Sequence, residues 1–395
     1  MNAILLAIAQ LRHQKLQTAL QILLLALGTA AMALMILLGR GLERSIERDL
    51  AGIDLVVGAK GSPLQLILSA VYQIDVPTGN ISREEASSLA ADPRIALAVP
   101  LALGDSFRGA RIVGTTPDYV ALYGGTLSEG TMFQAPLEAV IGSEVARATG
   151  LRPGGTFTGA HGLTEGGGAH EDHPYMVTGV LAPTGTVLDR LVITSLESVW
   201  EVHKGHDAPG GYEPSREVTA LLIRYKTPIA ALQLPRFIND QTSMQAAAPA
   251  TEVARLYGFL GVGRAAFQMM GLAFIALAAL SVFAGLYATL DQRRHDLAIM
   301  RALGATRTRI FGQVLGEAAL IGLGGAALGL LVAHLAATAL AAVLGLGPML
   351  PEGGNVFYGE EFLVALLALA SAAAAAILPA LNAYRMDIAV TLQRA

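Results

Sequence analysis

The stretch Ala19–Leu38, ALQILLLALGTAAMALMILL, decides the fold, because it is apolar over almost its whole length and holds no charged side chain. A helix needs about 20 such residues to cross a bilayer, whereas the apolar core of a signal peptide has only about 7–15. Three later runs share this character: Ala265–Leu290, Ala318–Leu346 and Phe362–Leu381. The sequence therefore predicts an α-helical membrane protein with four transmembrane helices, the first of which is retained.

The composition supports a membrane protein and excludes several other classes. Hydrophobic residues make up 53% of the 395 residues and charged residues only 15%, with a mean hydropathy of +0.52. Soluble domains carry about 25% charged residues. The net charge of −4 argues against a nucleic-acid partner, which would require a basic surface. The absence of cysteine excludes a thiol nucleophile and a disulfide framework.

Basic residues in the short loops set the expected orientation. Arg12 and Lys15 precede the first span, five arginines lie between the second and third spans, and Arg385 and Arg394 follow the fourth. The loop between the third and fourth spans has no Lys or Arg. Because cytoplasmic loops carry the excess of positive charge, we expect both termini and the second loop in the cytoplasm of a bacterial inner membrane.

The predicted spans divide the chain into segments. These are a cytoplasmic amphipathic helix (1–17), the first span (18–40), a periplasmic domain with stalk helices at both ends (41–263), the second span (264–290), a cytoplasmic coupling loop (291–316), the third span (317–346), a short periplasmic loop (347–361), the fourth span (362–382) and a cytoplasmic tail (383–395).

The periplasmic segment mixes short β-rich runs with two helical stretches. One of these helices begins with a capping-box pattern at Ser82 and Glu85, and the other, Ile229–Ile238, contains Pro235, which is expected to kink or shorten it. An apolar stripe over Leu42–Leu50 extends the first span as a stalk. Its counterpart before the second span consists of Val253, Leu256, Tyr257 and Leu260, which could pack against it. We therefore expect an inserted extracytoplasmic α+β domain of two comparable halves, joined by a β-rich insertion at about 125–212.

The sequence contains none of the common motifs for nucleotide or hydrolytic chemistry. It has no G-x-x-x-x-G-K-[ST] phosphate loop, no H-E-x-x-H and no G-x-S-x-G. We therefore do not expect the chain to be an enzyme. His334 is the one strongly ionisable side chain within the four apolar runs. We interpret it as a packed neutral histidine, because a proton relay needs a carboxylate partner.

The cytoplasmic loop Asp291–Phe311 is the most informative segment. A short helix with Leu297, Met300 and Leu303 on one face is predicted to end at Gly304, which fits a left-handed cap. Two interpretations fit these residues equally well. The loop is either a solvated segment that anchors the span ends by its basic residues, or a helix that docks into a groove of a partner.

The loop and the order of spans resemble the FtsX/MacB/LolC-type, or type VII, ABC transporter permeases. The family pattern acidic-x-x-[IL]-[LM]-[RK]-A-[LI]-G-A is matched in order from Asp296 to Ala305, with Asp where the family more often has Glu. The element Ile141–Gly155 is similar to the family's I-G-x-x-x-A-x-x-L-G-L-x-x-G-D and departs at Thr149 and Gly155. The resemblance covers nearly the whole chain and implies a MacB-like periplasmic core domain.

This resemblance implies how the protein works and with which partners. A second permease copy or paralogue pairs with it in the lipid, and separate cytoplasmic ABC ATPase subunits, which bind ATP and Mg²⁺, dock on the coupling loop. ATP hydrolysis then moves the periplasmic domain against cargo such as lipoprotein, lipid, peptide or a small molecule. A periplasmic adaptor or lipoprotein is a further expected partner, and no cofactor is bound directly. The residues assigned to ATPase coupling are Arg293, Arg294, Asp296, Leu297, Met300, Arg301, Leu303 and Gly304.

The sequence leaves two questions open about this assignment. An FtsX-like subunit would activate an outside partner without transport, although the large outer domain favours transport. The small-residue patches Gly325-x-x-x-Gly329 and Ala370–Ala376 allow close helix approach. That approach suits pairing between two chains or packing within one chain equally well.

Histidines are concentrated in the outer domain, where five of the eight lie between His161 and His206. Neutral imidazole and carboxylate ligands suit zinc or nickel, so this insertion is a candidate for binding or sensing a divalent metal. A polar loop with incidental histidines is the other interpretation. The candidate ligands are His161, His170, His173, His203, His206 and Asp207.

Overall fold

The computed structural model describes residues 3–50, 52–162, 172–203, 216–343 and 353–385. The chain divides into two compact units. The helical unit comprises residues 1–42 and 260–395, and the sheet unit comprises residues 43–259.

Helices and strands alternate within the sheet unit, whereas the helical unit has helices alone among its described residues. The α-helices are α1 (Ala3–His13), α2 (Lys15–Leu50), α3 (Pro63–Ala70), α4 (Arg83–Ala90), α5 (Asp118–Leu122), α6 (Ser143–Thr149), α7 (Leu196–Val202), α8 (Ala230–Gln241), α9 (Pro249–Gln292), α10 (Arg294–Ala302), α11 (Arg307–Val343) and α12 (Gly359–Arg385). The strands are β1 (Leu55–Ala59), β2 (Ile81–Ser82), β3 (Ile95–Phe107), β4 (Ala110–Thr115), β5 (Leu127–Gly130), β6 (Glu138–Ile141), β7 (Thr156–Phe157), β8 (Ala160–His161), β9 (Tyr175–Leu181), β10 (Leu191–Ser195), β11 (Glu217–Val218), β12 (Ala220–Tyr225) and β13 (Met244–Ala247).

Among the described helices, four are long and apolar enough to cross a membrane, namely α2, α9, α11 and α12, which confirms the predicted number of spans. An uninterrupted helix satisfies its own backbone polar groups, as the interior of a bilayer requires. Helix α2 has 36 residues, or about 54 Å at 1.5 Å per residue. It is therefore longer than the hydrocarbon layer of about 30 Å, and its last turns belong to the sheet unit.

Small residues bring α11 against α2 within the same chain. A Cβ added to Gly325 would lie 2.8 Å from side-chain atoms of Leu25, and one added to Gly329 would lie 2.7 Å from the carbonyl oxygen of Ala26. Such separations are too short for any larger side chain, so glycine is required for this approach. The Gly325-x-x-x-Gly329 patch is thus used for packing within one chain. Helix α12 likewise turns Ala372 toward Gly322 of α11.

His334 on α11 has a carboxylate partner, and the expectation that it has none was wrong. Its Nδ1 donates to the carbonyl oxygen of Gly354 (2.5 Å), and its Nε2 lies 2.7 Å from Oε2 of Glu361. Both side chains are buried. The sequence-based boundary placed Glu361 in the loop before the fourth span, whereas α12 already begins at Gly359. The pair joins the start of α12 to α11.

The sheet unit is built on one mixed sheet of eleven strands among its described residues, with the path β13-β1-β12-β3-β4-β10-β6-β9-β5. Strand β3 belongs to both parts of this path, because residues up to Leu101 pair with β12 and residues from Ala102 pair with β4. Strands β7 and β8 are added beside β9 and β3. The 13 residues of β3 therefore join regions that the sequence suggested were separate.

Two apolar cores flank this sheet. One contains Leu55, Leu221 and Leu234, and the other contains Ile112, Ile141 and Tyr175. The second core is formed mainly by the segment that the sequence suggested was an insertion. That segment is therefore an integral part of the sheet instead of a connection between two halves.

Local signals in the sheet unit specify two of its helices. The capping box predicted for α4 is present, since the Glu85 backbone N–H donates to Ser82 Oγ (3.2 Å) and the Ser82 backbone N–H donates to Glu85 Oε2 (3.4 Å). Helix α8 continues past Pro235 to Gln241. Pro235 therefore does not end this helix early.

Candidate functional site

Helix α10 is the short helix predicted in the loop between the second and third spans. It ends as the sequence predicts, with Gly304 at a positive φ of 99°. The Gly304 backbone N–H donates to the Arg301 carbonyl oxygen (3.0 Å), and Thr306 Oγ1 accepts from the Arg309 backbone N–H (3.3 Å) at the start of α11. A side chain other than glycine is strained at such a φ. The turn therefore fixes where α10 ends relative to α11.

The apolar residues of α10 lie on two faces. Leu297 is 3% exposed and packs with Val282, Ile310 and Val314 of the neighbouring helices, with Met300 at the edge of this core. This arrangement corrects the sequence-based expectation that Leu297, Met300 and Leu303 form one docking face. Because Leu297 packs against the chain's own helices, it is not available to a partner.

The opposite face of α10 is free of such packing. Leu303 is 83% exposed and Ile299 is 41% exposed. At the start of α11, nearby in the chain, Arg307 is exposed and Arg309 is half-buried. Exposed apolar side chains beside basic residues make this surface a candidate for binding a partner. We call Ile299, Leu303 and the turn at Gly304 the exposed face of α10.

Ionic and polar contacts attach the start of α10 to α11. Arg293 Nη1 lies 3.9 Å from Oε1 of the buried Glu317, which also accepts from Gln313 Nε2 (3.2 Å). Arg301 is half-buried. The side chains of Arg294 and Asp296 lie outside the described residues. The Arg293–Glu317 pair and the core around Leu297 therefore join α10 to α11.

Polar side chains near Glu317 line a small cleft between α1, α2, α9 and α11. Thr289 Oγ1 donates to Gln14 Oε1 (2.9 Å), and Gln21 Nε2 donates to the Ser281 carbonyl oxygen (3.2 Å). These bonds connect the N-terminal helices to α9 at the same end of the helical unit as α10. The sequence analysis did not single out these glutamines.

The last turn of α2 is attached to a loop of the sheet unit. The Val187 backbone N–H donates to Oδ1 of the buried Asp49 (2.7 Å), and Arg190 Nη2 lies 3.9 Å from Asp49 Oδ2. Arg48 Nη1 donates to the Gly185 carbonyl oxygen (3.5 Å). A buried carboxylate is stable only with such partners. Movement of this turn of α2 must therefore move the loop as well.

The first turns of α9 lie close to the same part of α2. Burial raises the pKa of Tyr257 on α9, and the negative charges of Glu43 and Glu47 on α2 raise it further. Ile46 and Val253 are buried. The two stalk segments predicted from the sequence are therefore neighbours. The side chains of Leu256 and Leu260, which the sequence also assigned to this stalk, lie outside the described residues.

The predicted metal ligands separate into two groups. His161 and His203 come together with Asp105, and the three ligand atoms lie within 4.8 Å of one another. His173 is described but is not part of this cluster. His170, His206 and Asp207 lie outside the described residues. Asp105 was missed by sequence reasoning, and its one signal is a carboxylate within an otherwise apolar extended run.

The cluster borders the second apolar core. Asp105 is almost fully buried. Asp105 Cβ and Tyr175 Cε2 both lie within 4 Å of the position that a Cβ on Gly159 would occupy. Burial raises the pKa of Tyr175 well above its usual value, and the Asp105 carboxylate raises it further. The Asp105 carboxylate therefore acts electrostatically on the Tyr175 hydroxyl in this core.

These features define a class of protein, namely a multi-span membrane protein with an extracytoplasmic α/β domain inserted between its first and second spans. Two family models match the chain, the MacB-like periplasmic core domain over residues 18–234 and the FtsX-like permease C-terminal domain over residues 269–388. The chain therefore belongs to the FtsX/MacB-type ABC transporter permeases. Members of this family are membrane subunits that generally work with cytoplasmic ABC ATPases.

Two solved structures are similar to part of the chain. The periplasmic region of MacB from Actinobacillus actinomycetemcomitans has 12% identity and a TM-score of 0.35, with coverage of 53% of this chain and 95% of that chain. The extracellular domain of the noncanonic ABC-type transporter YknZ from Gram-positive bacteria has 13% identity and a TM-score of 0.31, with coverage of 49% of this chain and 98% of that chain. The comparison with curated proteins gives no match.

Proposed function

We propose that this chain is the membrane subunit of a type VII ABC transporter in a bacterial cytoplasmic membrane. Both termini and α10 face the cytoplasm, and the sheet unit faces the outside. The chain pairs with a second copy or a paralogue. It acts on extracytoplasmic cargo such as lipoprotein, lipid, peptide or a small molecule, with an adaptor or lipoprotein as a further partner.

The division of α10 into two faces carries the proposal. The inner face, with Leu297, is packed into the chain's own core, whereas Leu303 on the outer face is 83% exposed. A separate ATPase that holds Leu303 and Ile299 would move α10, and the inner face would transmit that movement to α11. The exposed Arg307 and the half-buried Arg309 favour a partner groove with acidic residues.

The link between α2 and the loop at Val187 supports the second half of the mechanism. Helix α2 is continuous from Lys15 to Leu50. A rigid helix transmits a displacement along its axis directly, and no separate soluble protein is needed. Its last turn holds the loop through Asp49. Movement of the helical unit is therefore delivered to the sheet unit, where the cargo is handled.

Leu303→Asp tests the docking step. A tagged chain is purified from its own host, and the ABC ATPase recovered with it is quantified. We expect recovery to fall by about tenfold or more, because a central apolar side chain at an interface contributes about 2 kcal/mol. The matched control is Leu232→Asp on α8, where the leucine is 72% exposed and lies in the sheet unit. ATPase recovery at the wild-type level with Leu303→Asp would exclude docking at this face.

A reconstitution experiment distinguishes transport from signalling. The chain and its ATPase are placed in proteoliposomes, and ATP hydrolysis is measured with candidate cargo on the side of the sheet unit. Hydrolysis stimulated by cargo, together with cargo release, supports transport. Activation of an outside enzyme without cargo release would instead identify an FtsX-like signalling subunit.

A further inference from the structure

Three side chains from separate parts of the sequence meet at one edge of the sheet unit. Asp105 lies on β3, and His161 on β8 is its cross-strand partner in the antiparallel register. His203 caps the C-terminal end of α7. Asp105 Oδ1 lies 3.2 Å from His161 Nδ1 and 3.5 Å from His203 Nε2.

These separations match the edges of a tetrahedral metal site. Zinc binds imidazole nitrogen and carboxylate oxygen at about 2.0–2.2 Å, which places two ligands of a tetrahedron about 3.3–3.6 Å apart. The two distances, 3.2 Å and 3.5 Å, are close to this spacing. The rings of His161 and His203 are 5.2 Å apart between centroids and inclined at 52°, and the three ligand atoms lie within 4.8 Å of one another.

The tautomer of His203 points to a cation between the ligands. His203 Nδ1 lies 2.7 Å from the carbonyl oxygen of Val199. A carbonyl can only accept, so Nδ1 carries the proton and donates. In neutral His203 the unprotonated Nε2 then lies 3.5 Å from Asp105 Oδ1, and a cation bound to both atoms would stabilise this arrangement. Metal-binding histidines commonly donate their other ring N–H to a backbone carbonyl in this way.

Burial of the cluster is uneven. The side chain of Asp105 is 1% exposed, whereas that of His161 is 42% exposed. A buried carboxylate favours a site that brings positive charge to it. The exposed side leaves room for water or a further ligand. Among the described residues the cluster supplies three protein ligands, the number that catalytic zinc sites combine with a water, whereas structural zinc sites have four.

We propose that Asp105, His161 and His203 form a binding site for a divalent transition-metal ion of the zinc class on the sheet unit. Imidazole ligands favour zinc over magnesium or calcium, which prefer all-oxygen sites. The site lies away from α10 in the sequence and does not depend on the proposed ATPase. It gives the sheet unit a metal-dependent state, with the ion held between β3, β8 and the end of α7.

Calorimetric titration of the full-length chain with ZnCl₂ tests the site. The chain is purified in detergent and freed of metal with a chelator, and MgCl₂ is titrated in parallel. We expect one zinc ion per chain with a Kd in the micromolar range or below, and no binding of magnesium. Wild-type binding weaker than millimolar would overturn the proposal and would leave protonated histidine beside Asp105 as the explanation of the geometry.

Substitutions locate the bound ion. His161→Gln and His203→Gln are each expected to raise the Kd for zinc at least about tenfold, since loss of even an outer-shell partner costs about 10–100-fold. His161 is partly exposed, so His161→Gln is expected to keep the wild-type melting temperature without zinc. Asp105→Asn is the third variant, but its burial makes folding a necessary check.

Two controls separate this site from the other histidines. His173→Gln is expected to leave the Kd within about twofold, because His173 is outside the cluster. The combined variant His170→Gln, His206→Gln and Asp207→Asn tests whether residues outside the described part of the chain bind the ion instead. If that combined variant lost zinc while His161→Gln and His203→Gln retained wild-type affinity, the three-residue site would be wrong.

Discussion

The two units of this molecule follow opposite packing rules. In the helical unit, large apolar side chains such as Leu20, Leu331 and Leu366 are exposed, while glycine and alanine occupy the helix contacts. In the sheet unit, the large side chains, including Leu55 and Ile141, are buried. Lipid does not drive apolar side chains inward, so helices in a membrane hold together by close approach. In water, burial of apolar surface supplies the stability.

The functional features of the two units differ in the same way. The proposed coupling site of the helical unit is one contiguous helix, α10, whose proposed role depends on which face is buried. The candidate metal site of the sheet unit combines residues that are far apart in the sequence and meet only through strand pairing. A contiguous site is visible as a motif, whereas an assembled site requires the fold.

Leu297→Ala gives the largest expected effect in this comparison, because Leu297 is a large side chain buried among the helices of its own unit. We expect the free energy of unfolding to fall by about 2–5 kcal/mol, as for other buried leucines. Unfolding is followed by a denaturing-detergent titration of the purified chain. Leu303→Ala on the same helix is the control and should change it by less than about 0.5 kcal/mol. Equal effects of the two would mean that α10 does not have an inner and an outer face.

Asp49→Ala tests a buried polar link in the sheet unit. It leaves the Val187 backbone N–H without its acceptor, so we expect a loss of about 1–3 kcal/mol in the free energy of unfolding. Glu47→Ala, at an exposed position two residues earlier on α2, is the matched control. In proteoliposomes with the ATPase, Asp49→Ala should also weaken the dependence of hydrolysis on cargo. A wild-type response in both assays would remove Asp49 from the transmission path.

Of the three substitutions, Gly329→Ala is expected to change the free energy of unfolding least, but the direction of that change follows most directly from the structure. The added methyl would lie 2.7 Å from the Ala26 carbonyl oxygen, so α2 and α11 must separate. We expect the free energy of unfolding to fall by about 1 kcal/mol. A Cβ added to Gly312, also on α11, would meet nothing within 4 Å. Gly312→Ala should therefore raise the free energy of unfolding by up to about 1 kcal/mol, because alanine has a higher helix propensity than glycine. Melting temperatures of the two variants are compared. A gain at both positions would show that the close approach is not required.

Sequence patterns predict much of the helical unit because its helices and turns are specified by residues that are close together in the sequence. Four long apolar runs are sufficient to specify helices in lipid, and the Gly304 turn follows from the residue that occupies it. The division of α10 into two faces does not follow, since Leu297 and Leu303 are both apolar and only the neighbouring helices decide which one is buried. The His334–Glu361 pair was missed for a similar reason, because Glu361 lies just outside the apolar run that marked the span.

Less of the sheet unit follows from local patterns. Several short strands and the Ser82 capping box are visible in the sequence, but β3 is not, and it is the strand that joins the two parts of the sheet. Without β3 there is no reason to place Asp105 beside His161. His161 and His203 were selected on composition alone, and the same criterion also selected His173, which lies outside the cluster.

Site-specific cross-linking at α10 tests the central claim, that a cytoplasmic ATPase binds the exposed face of α10. The chain has no cysteine, so Leu303→Cys introduces a single thiol for a photoreactive maleimide. Leu232→Cys in the sheet unit is the control. The account predicts that the Leu303→Cys probe cross-links an ABC ATPase in native membranes and that the Leu232→Cys probe does not. A Leu303→Cys thiol that reacts with an impermeant reagent outside intact cells, and cross-links no ATPase, would contradict it.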